Sequence, residues 1–276
     1  PLYSSAASDV YKRQLVSAAA IMTMSTTAFA AENPAEVFDR VMEKNNTIQS
    51  AEIQSGVHSV ILAKDVIPDG QMKVDMAMHA EMDMQDTTDL KYLAQVASSI
   101  LGQDSYSQVF YTDGYYYVDT NGVKMKYPMP LEQIISSVQT GANTSNMESS
   151  YMKGISLNEV NGKRVLAYEA NPKKLNKNVK EALGTVMNTL GTDVNLDMNI
   201  QEMKGAYVLD DNDYIIYMTN YIVYNMEVLD QPMTCITLME TEVQNPGEPV
   251  VVTLPSTDGY EDLIGLYDGV IESEVE

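Results

Sequence analysis

The sequence predicts an α+β fold: a long, curved antiparallel β-sheet with helices gathered on one face. Three observations carry that expectation. Between Gln71 and Gln85 every even-numbered residue is apolar (Met72, Val74, Met76, Met78, Ala80, Met82 and Met84), while the odd positions are polar apart from Ala77. A period of two is the signature of a strand. The apolar runs are separated by hairpin dipeptides, Asp113-Gly114, Asn121-Gly122 and Asn161-Gly162, which join antiparallel neighbours. Asn33-Pro34 and Asn171-Pro172 open helices, with asparagine as cap and proline in the first turn. Strands dominate and connections are short, so the sheet is expected to be antiparallel.

Taken in order, Pro1 to Gln14 (PLYSSAASDVYKRQ) reads as a non-native, adapter-derived segment and is set aside. Residues 15–30 read as the remnant of a secretory signal peptide: an apolar stretch rich in small residues ends in the cleavage signature Ala28-Phe29-Ala30. The expected domain spans residues 31–255 and is followed by an acidic tail, 256–276. Asn33-Pro34-Ala35-Glu36 starts a helix that buries Val37, Phe38, Val41 and Met42. Ala51, Ile53, Val57 and Ile61 give a first strand, and Pro68-Asp69-Gly70 turns it back beside the methionine strand. At ~3.3 Å per residue that second strand would run about 50 Å, so it is expected to bend.

Leu90, Leu93, Ala94, Ala97, Ile100 and Leu101 fall at helical spacing and stop at Gly102, which predicts a second helix. Short strands follow at 106–111, 115–119 and 123–127, then a short helix from Pro130 with Leu131, Ile134, Ile135 and Val138 inside, then a polar loop over 141–150. Strands at 155–157 and 164–169 precede the Asn171-capped helix, which carries Leu175, Val179, Leu183, Val186, Met187 and Leu190. The remaining strands are expected at 196–200, 206–209, 214–229, 233–243 and 250–254.

The formal charge is −22, and −23 without residues 1–30, which carry Asp9, Lys12 and Arg13. Such a surface repels phosphate backbones and anionic bilayers, so neither nucleic acid nor a bare membrane surface is an expected partner. No stretch after residue 30 is long and apolar enough for a transmembrane helix. Cys235 is the single cysteine, which precludes an intrachain disulfide. Export is the expected localisation, and Ala31 in place of cysteine argues against a lipid-modified N-terminus at that junction.

The helix entering strand one over Pro34 to Ser50, the hairpins Thr112-Asp113-Gly114-Tyr115-Tyr116-Tyr117 and Asp119-Thr120-Asn121-Gly122-Val123-Lys124, Tyr207-Val208-Leu209-Asp210 before a turn, and Val250 to Pro255 at the end together resemble the lipoprotein-carrier superfamily. That group includes the Lol-type (LolA/LolB-like) periplasmic carriers, the LppX-type lipoproteins and many exported proteins of Gram-positive bacteria. The resemblance is architectural and covers Asn33 to Pro255. It implies an incomplete β-barrel wrapped over helices, whose concave side holds acyl chains or another apolar body. The chain departs from it in two ways: it has no lipobox cysteine, and no arginine falls on an expected inner face.

Catalytic chemistry has no visible centre. His58 and His79 are the only histidines and lie in no H-E-x-x-H or G-x-S-x-G context. Ser150-Tyr151-Met152-Lys153 matches S-x-x-K without K-T-G or S-D-N, and Leu254-Pro255-Ser256-Thr257 begins like a sortase signal with Asp258 in place of glycine. Asp210-Asp211-Asn212-Asp213 lacks the glycine and the terminal glutamate of a calcium loop. Thioethers select Cu(I), and Met76, Met78, His79, Met82 and Met84 have that flavour, but parity puts His79 on the other face of the strand. No metal or cofactor is expected.

The expectation for function is therefore a non-enzymatic protein binding an apolar ligand, a lipid, acyl chain or lipoprotein, between sheet and helices. Met72, Val74, Met76, Met78, Met82 and Met84 would line the site, since methionine adapts to irregular apolar bodies. Tyr214, Ile216, Met218, Ile222, Tyr224 and Met226, alternating in the longest later strand, would face the same side. The alternatives are a methionine row that only packs on the protein's own helices, a cell-surface interaction module without a small ligand and, ranked below them, a Cu(I)-binding protein. The module reading draws on the helical spacing of Tyr260, Leu263, Ile264, Tyr267, Val270 and Ile271 in the acidic tail.

Overall fold

The computed structural model describes residues 32–63, 67, 69–86, 90–131, 147–177, 198–228 and 231–262. The adapter-like and signal segments, the helical stretches expected over 134–138 and 179–190, most of the 141–150 loop and the tail from 263 lie outside the described residues. Helix α1 is Pro34–Asn45 and α2 begins at 172, with residues 172–177 described. The strands are β1 Ser50–Leu62, β2 Gln71–Asp83, β3 Lys91–Ile100, β4 Gln103–Thr112, β5 Tyr115–Thr120, β6 Val123–Pro128, β7 Met152–Val160, β8 Lys163–Ala170, β9 Met198–Leu209, β10 Ile215–Val228, β11 Gln231–Gln244 and β12 Glu261–Asp262.

These twelve strands form one open sheet in the order β12-β6-β5-β4-β3-β2-β1-β11-β10-β9-β8-β7. Two antiparallel meanders, β1 to β6 and β7 to β11, are joined where β1 pairs with β11. The pairing of β12 with β6 is parallel, so the sheet is mixed. Among the described residues the molecule is overwhelmingly β, which overturns the expected α+β balance.

The largest single correction is β3. The segment read as a helix from Leu90 to Leu101 is a strand paired with β2 and β4. Leu93 and Ala94 are adjacent and both buried, at 6% and 3% exposure, because chain packs on both faces of the sheet here. A strand covered on both sides loses its alternation and imitates helical spacing. Gly102 is the second residue of a two-residue hairpin, with Leu101 at φ 53° and Gly102 at φ 77°, not a helix terminator.

Two further strand expectations change. The described part of the run at 196–200, from Met198 onward, and the run at 206–209 belong to one strand, β9, that passes straight through Gly205. The expected closing strand at 250–254 is extended chain outside the sheet ladder. Its amides are met by side chains: Val250 N donates to Ser50 Oγ (3.1 Å) and Thr253 N to Glu81 Oε2 (3.3 Å).

One face of the sheet carries the helices. The Asn33 carboxamide caps α1 by accepting from Ala35 N (3.1 Å), while its own amide donates to Glu36 Oε1 (3.0 Å). Val37, Phe38 and Val41 are fully buried against Leu157, Leu166, Tyr168, Tyr207, Leu209 and Ile215 of β7 to β10. Asn171 caps α2 through Lys173 N (3.1 Å), and Leu175 packs with Ala170 and Ile200. On the other face, Val252 and Tyr260 of the C-terminal segment cover Leu93, Phe110 and Tyr117.

Candidate functional site

Register shows what the helix-bearing face offers. On β2 it presents Met72, Val74, Met76, Met78, Ala80 and Met82. Their partners are Ile61, Ser59, Val57, Ser55, Ile53 and Ala51 on β1, and, from Val74 onward, Ile100, Ser98, Val96, Ala94 and Tyr92 on β3. Continuing across β11 and β10, the same face holds Val243, Thr241, Met239, Thr237, Cys235 and Met233, then Met218, Asn220, Ile222, Tyr224 and Met226. None of these positions is charged. The opposite face of the same strands carries Glu52, Gln54 and His58, Lys73, Asp75, His79 and Glu81, and Glu240 and Glu242.

Polar atoms on the uncharged face are satisfied locally. Ser55 Oγ and Thr241 Oγ1 lie 2.9 Å apart, as do Ser59 Oγ and Thr237 Oγ1, so each hydroxyl pair consumes its own hydrogen bond. Tyr168 Oη donates to Asn220 Oδ1 under α1. Burial drives the Tyr168 hydroxyl well above its ordinary pKa and holds Tyr207 up at about 12, which keeps both phenols neutral.

The sequence-derived residues occupy different parts of this face. Met84 joins Leu90, Tyr92, Tyr111, Tyr116, Met129 and Leu131 in a cluster at one end. Met218 packs against the α1 core, and Ile222 and Tyr224 against the cluster of Ala170, Leu175 and Ile200. Met72, Val74, Met78 and Met82 are partly buried, and Met76, midway along the row, is 38% exposed.

Tyr214 and Ile216 do not continue the row. A bulge between Ile215 and Tyr217 resets the parity of β10, so Ile215, 6% exposed, takes the core position beside Leu209. The bulge is tied to α1: Ile215 N donates to Asn45 Oδ1 at 2.9 Å. Tyr214 lies before the strand, under Lys44 Nζ at 4.2 Å from its ring centroid. Met203, Met233, Met239 and Cys235 also share the face. Only pairing partners reveal them, since none belongs to a long alternating run of its own.

His79 points away from the methionines, as parity requires. Its Nε2 lies 3.4 Å from Glu81 Oε1 and 3.9 Å from Glu52 Oε1 on the opposite face, and His58 Nδ1 contacts Asp75 Oδ1. Among the described residues no group of three or more His, Cys, Asp or Glu side chains is arranged to hold a metal. No described helix is long and apolar enough to cross a membrane. The Asp210–Asp213 segment is a turn whose Asp213 carboxylate bridges Arg40 and Arg164.

Among solved structures, the chain is similar to LprF from Mycobacterium bovis, at 10% identity and a TM-score of 0.36, covering 81% of this chain and 97% of that one. It is also similar to a β-barrel-like protein of the DUF1849 domain from Brucella abortus, at 10% identity, TM-score 0.25, and 72% and 100% coverage. A third is the ywiB protein of Bacillus subtilis, at 11% identity, TM-score 0.20, and 74% and 99% coverage. No curated protein matches the chain. Residues 33–255 match the model of DUF6612, a family of unknown function, and the chain belongs to that family.

Proposed function

We propose that this protein is an exported, non-enzymatic binder of an elongated apolar ligand, of the acyl-chain or lipid class, held on the helix-bearing face along the methionines of β2. The observation that carries the reading is charge segregation. A chain of formal charge −22 leaves one face of its five central strands without a single charged side chain, and Met76 in the middle of that face keeps 38% exposure. Thioether side chains are flexible and polarizable, so a row of them conforms to chains of varied length and unsaturation. Export is supported by the Ala28-Phe29-Ala30 signature after an apolar stretch. The architectural resemblance to lipoprotein carriers points to the same ligand class.

The test is Met78→Ala. A methionine packed in a core costs roughly 2–5 kcal/mol when cut to alanine. A methionine facing a ligand space costs less in the empty protein, expected here to be under about 1.5 kcal/mol, and its loss weakens uptake of a fluorescent fatty-acyl probe. A core-sized loss in chemical denaturation together with unchanged probe uptake would make the row ordinary core.

A further inference from the structure

Pairing across strands, not spacing along them, gathers sulfur at one end of the uncharged face. Met198 on β9, Met226 on β10 and Met233 on β11 are direct cross-strand partners, which places their Cβ atoms roughly 4.5–5.5 Å apart between neighbouring strands. Cys235 follows two residues along β11 on the same face, 1% exposed. Its Sγ lies 3.8 Å from Met226 Sδ, with the thiol proton donated to the thioether. Tyr224 is the cross-strand partner of Cys235 on the same face.

We propose that Cys235 and Met226, with Met233 and Met198 beside them, form a binding site for a monovalent soft cation, Cu(I). The donor set is all sulfur, which favours that ion over hard divalent cations. Charge favours it too. One thiolate and one Cu(I) sum to zero, so the occupied site is neutral, whereas a divalent ion would leave an uncompensated positive charge in a buried place. The spacing fits: two sulfurs each roughly 2.3 Å from a shared ion, the metal–thiolate length of tetrahedral sites, sit about 3.8 Å apart at a near-tetrahedral angle. The ion takes the place of the proton between Sγ and Sδ. On binding, the Cys235 S–H bond breaks, its proton passes to solvent, an S–Cu bond forms and no electron is transferred.

This site involves neither His79 nor the β2 methionines, and it meets the acyl-ligand face only at Tyr224 and Met226 on β10. The experiment is an anaerobic titration of the reduced full chain with Cu(I) in competition with a chromophoric Cu(I) chelator, with proton release followed in weak buffer. The expected result is one equivalent withdrawn from the chelator and one proton released. Apparent affinity then falls about tenfold for each pH unit of acidification while the free thiol is protonated. Cys235→Ser abolishes the proton release, Met226→Leu weakens binding, and Met76→Leu with Met78→Leu together leave it unchanged, all in variants whose circular dichroism and thermal melting match the parent. The proposal is overturned if the chain takes no copper from the chelator. It is equally overturned if binding survives both Cys235→Ser and Met226→Leu, or is lost in the Met76/Met78 double variant.

Discussion

A methyl group at position 205 has nowhere to go. A Cβ built on Gly205 would meet Thr219 O at 2.5 Å and Tyr168 Oη at 2.8 Å, and would crowd Asn220 Oδ1 as well. The Tyr168–Asn220 hydrogen bond is buried beneath α1, so the substitution strains backbone and breaks a polar contact together. Gly205→Ala is expected to cost at least about 2 kcal/mol in denaturant unfolding, although glycine inside a strand is ordinarily a weakness that alanine relieves. Asp213 is the second residue-scale anchor. Burial alone would raise its carboxyl, but hydrogen bonds and charge from Arg40 and Arg164 outweigh burial and hold it below the ordinary carboxylate value. A depressed carboxylate pKa contributes stability that is complete above the ordinary value and is lost as pH falls through the folded one. The stability gap between the parent and Asp213→Asn should therefore be full near neutrality and shrink below about pH 4, as read from urea melts at a series of pH values. A gap that stays constant down to pH 2 would remove the role assigned to the two arginines.

At the scale of elements, what the sequence made legible depended on how many sides of a strand are covered. β2 alternates in sequence because only one of its faces is apolar, and its register with β1 follows the row residue by residue. β3 and β4 carry adjacent buried pairs, Leu93 with Ala94 and Phe110 with Tyr111, because the C-terminal segment covers one face and the cluster around Leu90 the other. That double covering erased the period of two in β3. The opposite error arose at Val250 to Leu254, where alternation is real but is set by lying on a sheet face: Val252 is buried and Val251 is 88% exposed. The β3–β4 turn gives a direct check on the corrected element. Leu101 holds φ 53° with 69% of its surface exposed, a left-handed conformation that costs a branched residue roughly 1–2 kcal/mol and asparagine less. Leu101→Asn should raise stability by about 0.5–1 kcal/mol in thermal or chemical unfolding. Had this segment been the end of a helix, the same change would have been neutral or harmful.

At the scale of the whole molecule, two meanders meet at β1 and β11 and lay the uncharged faces of their strands side by side, turning a local alternation into a continuous uncharged face. The sequence revealed the β2 line of that face directly. It revealed the β10 line in part, because the bulge fixed by Asn45 exchanges Ile215 for Ile216, and it concealed the contributions of β9 and β11, which emerge only from pairing. The ligand is expected to run across this face and avoid the acidic one. The most direct test is photolabelling with a diazirine-bearing fatty acid, followed by peptide mapping. Labels concentrated at Met72 to Met82 and at Ile222 to Met226, and suppressed by excess unlabelled fatty acid, are the predicted result. Labels spread over both faces in proportion to exposure, with no competition, would contradict it.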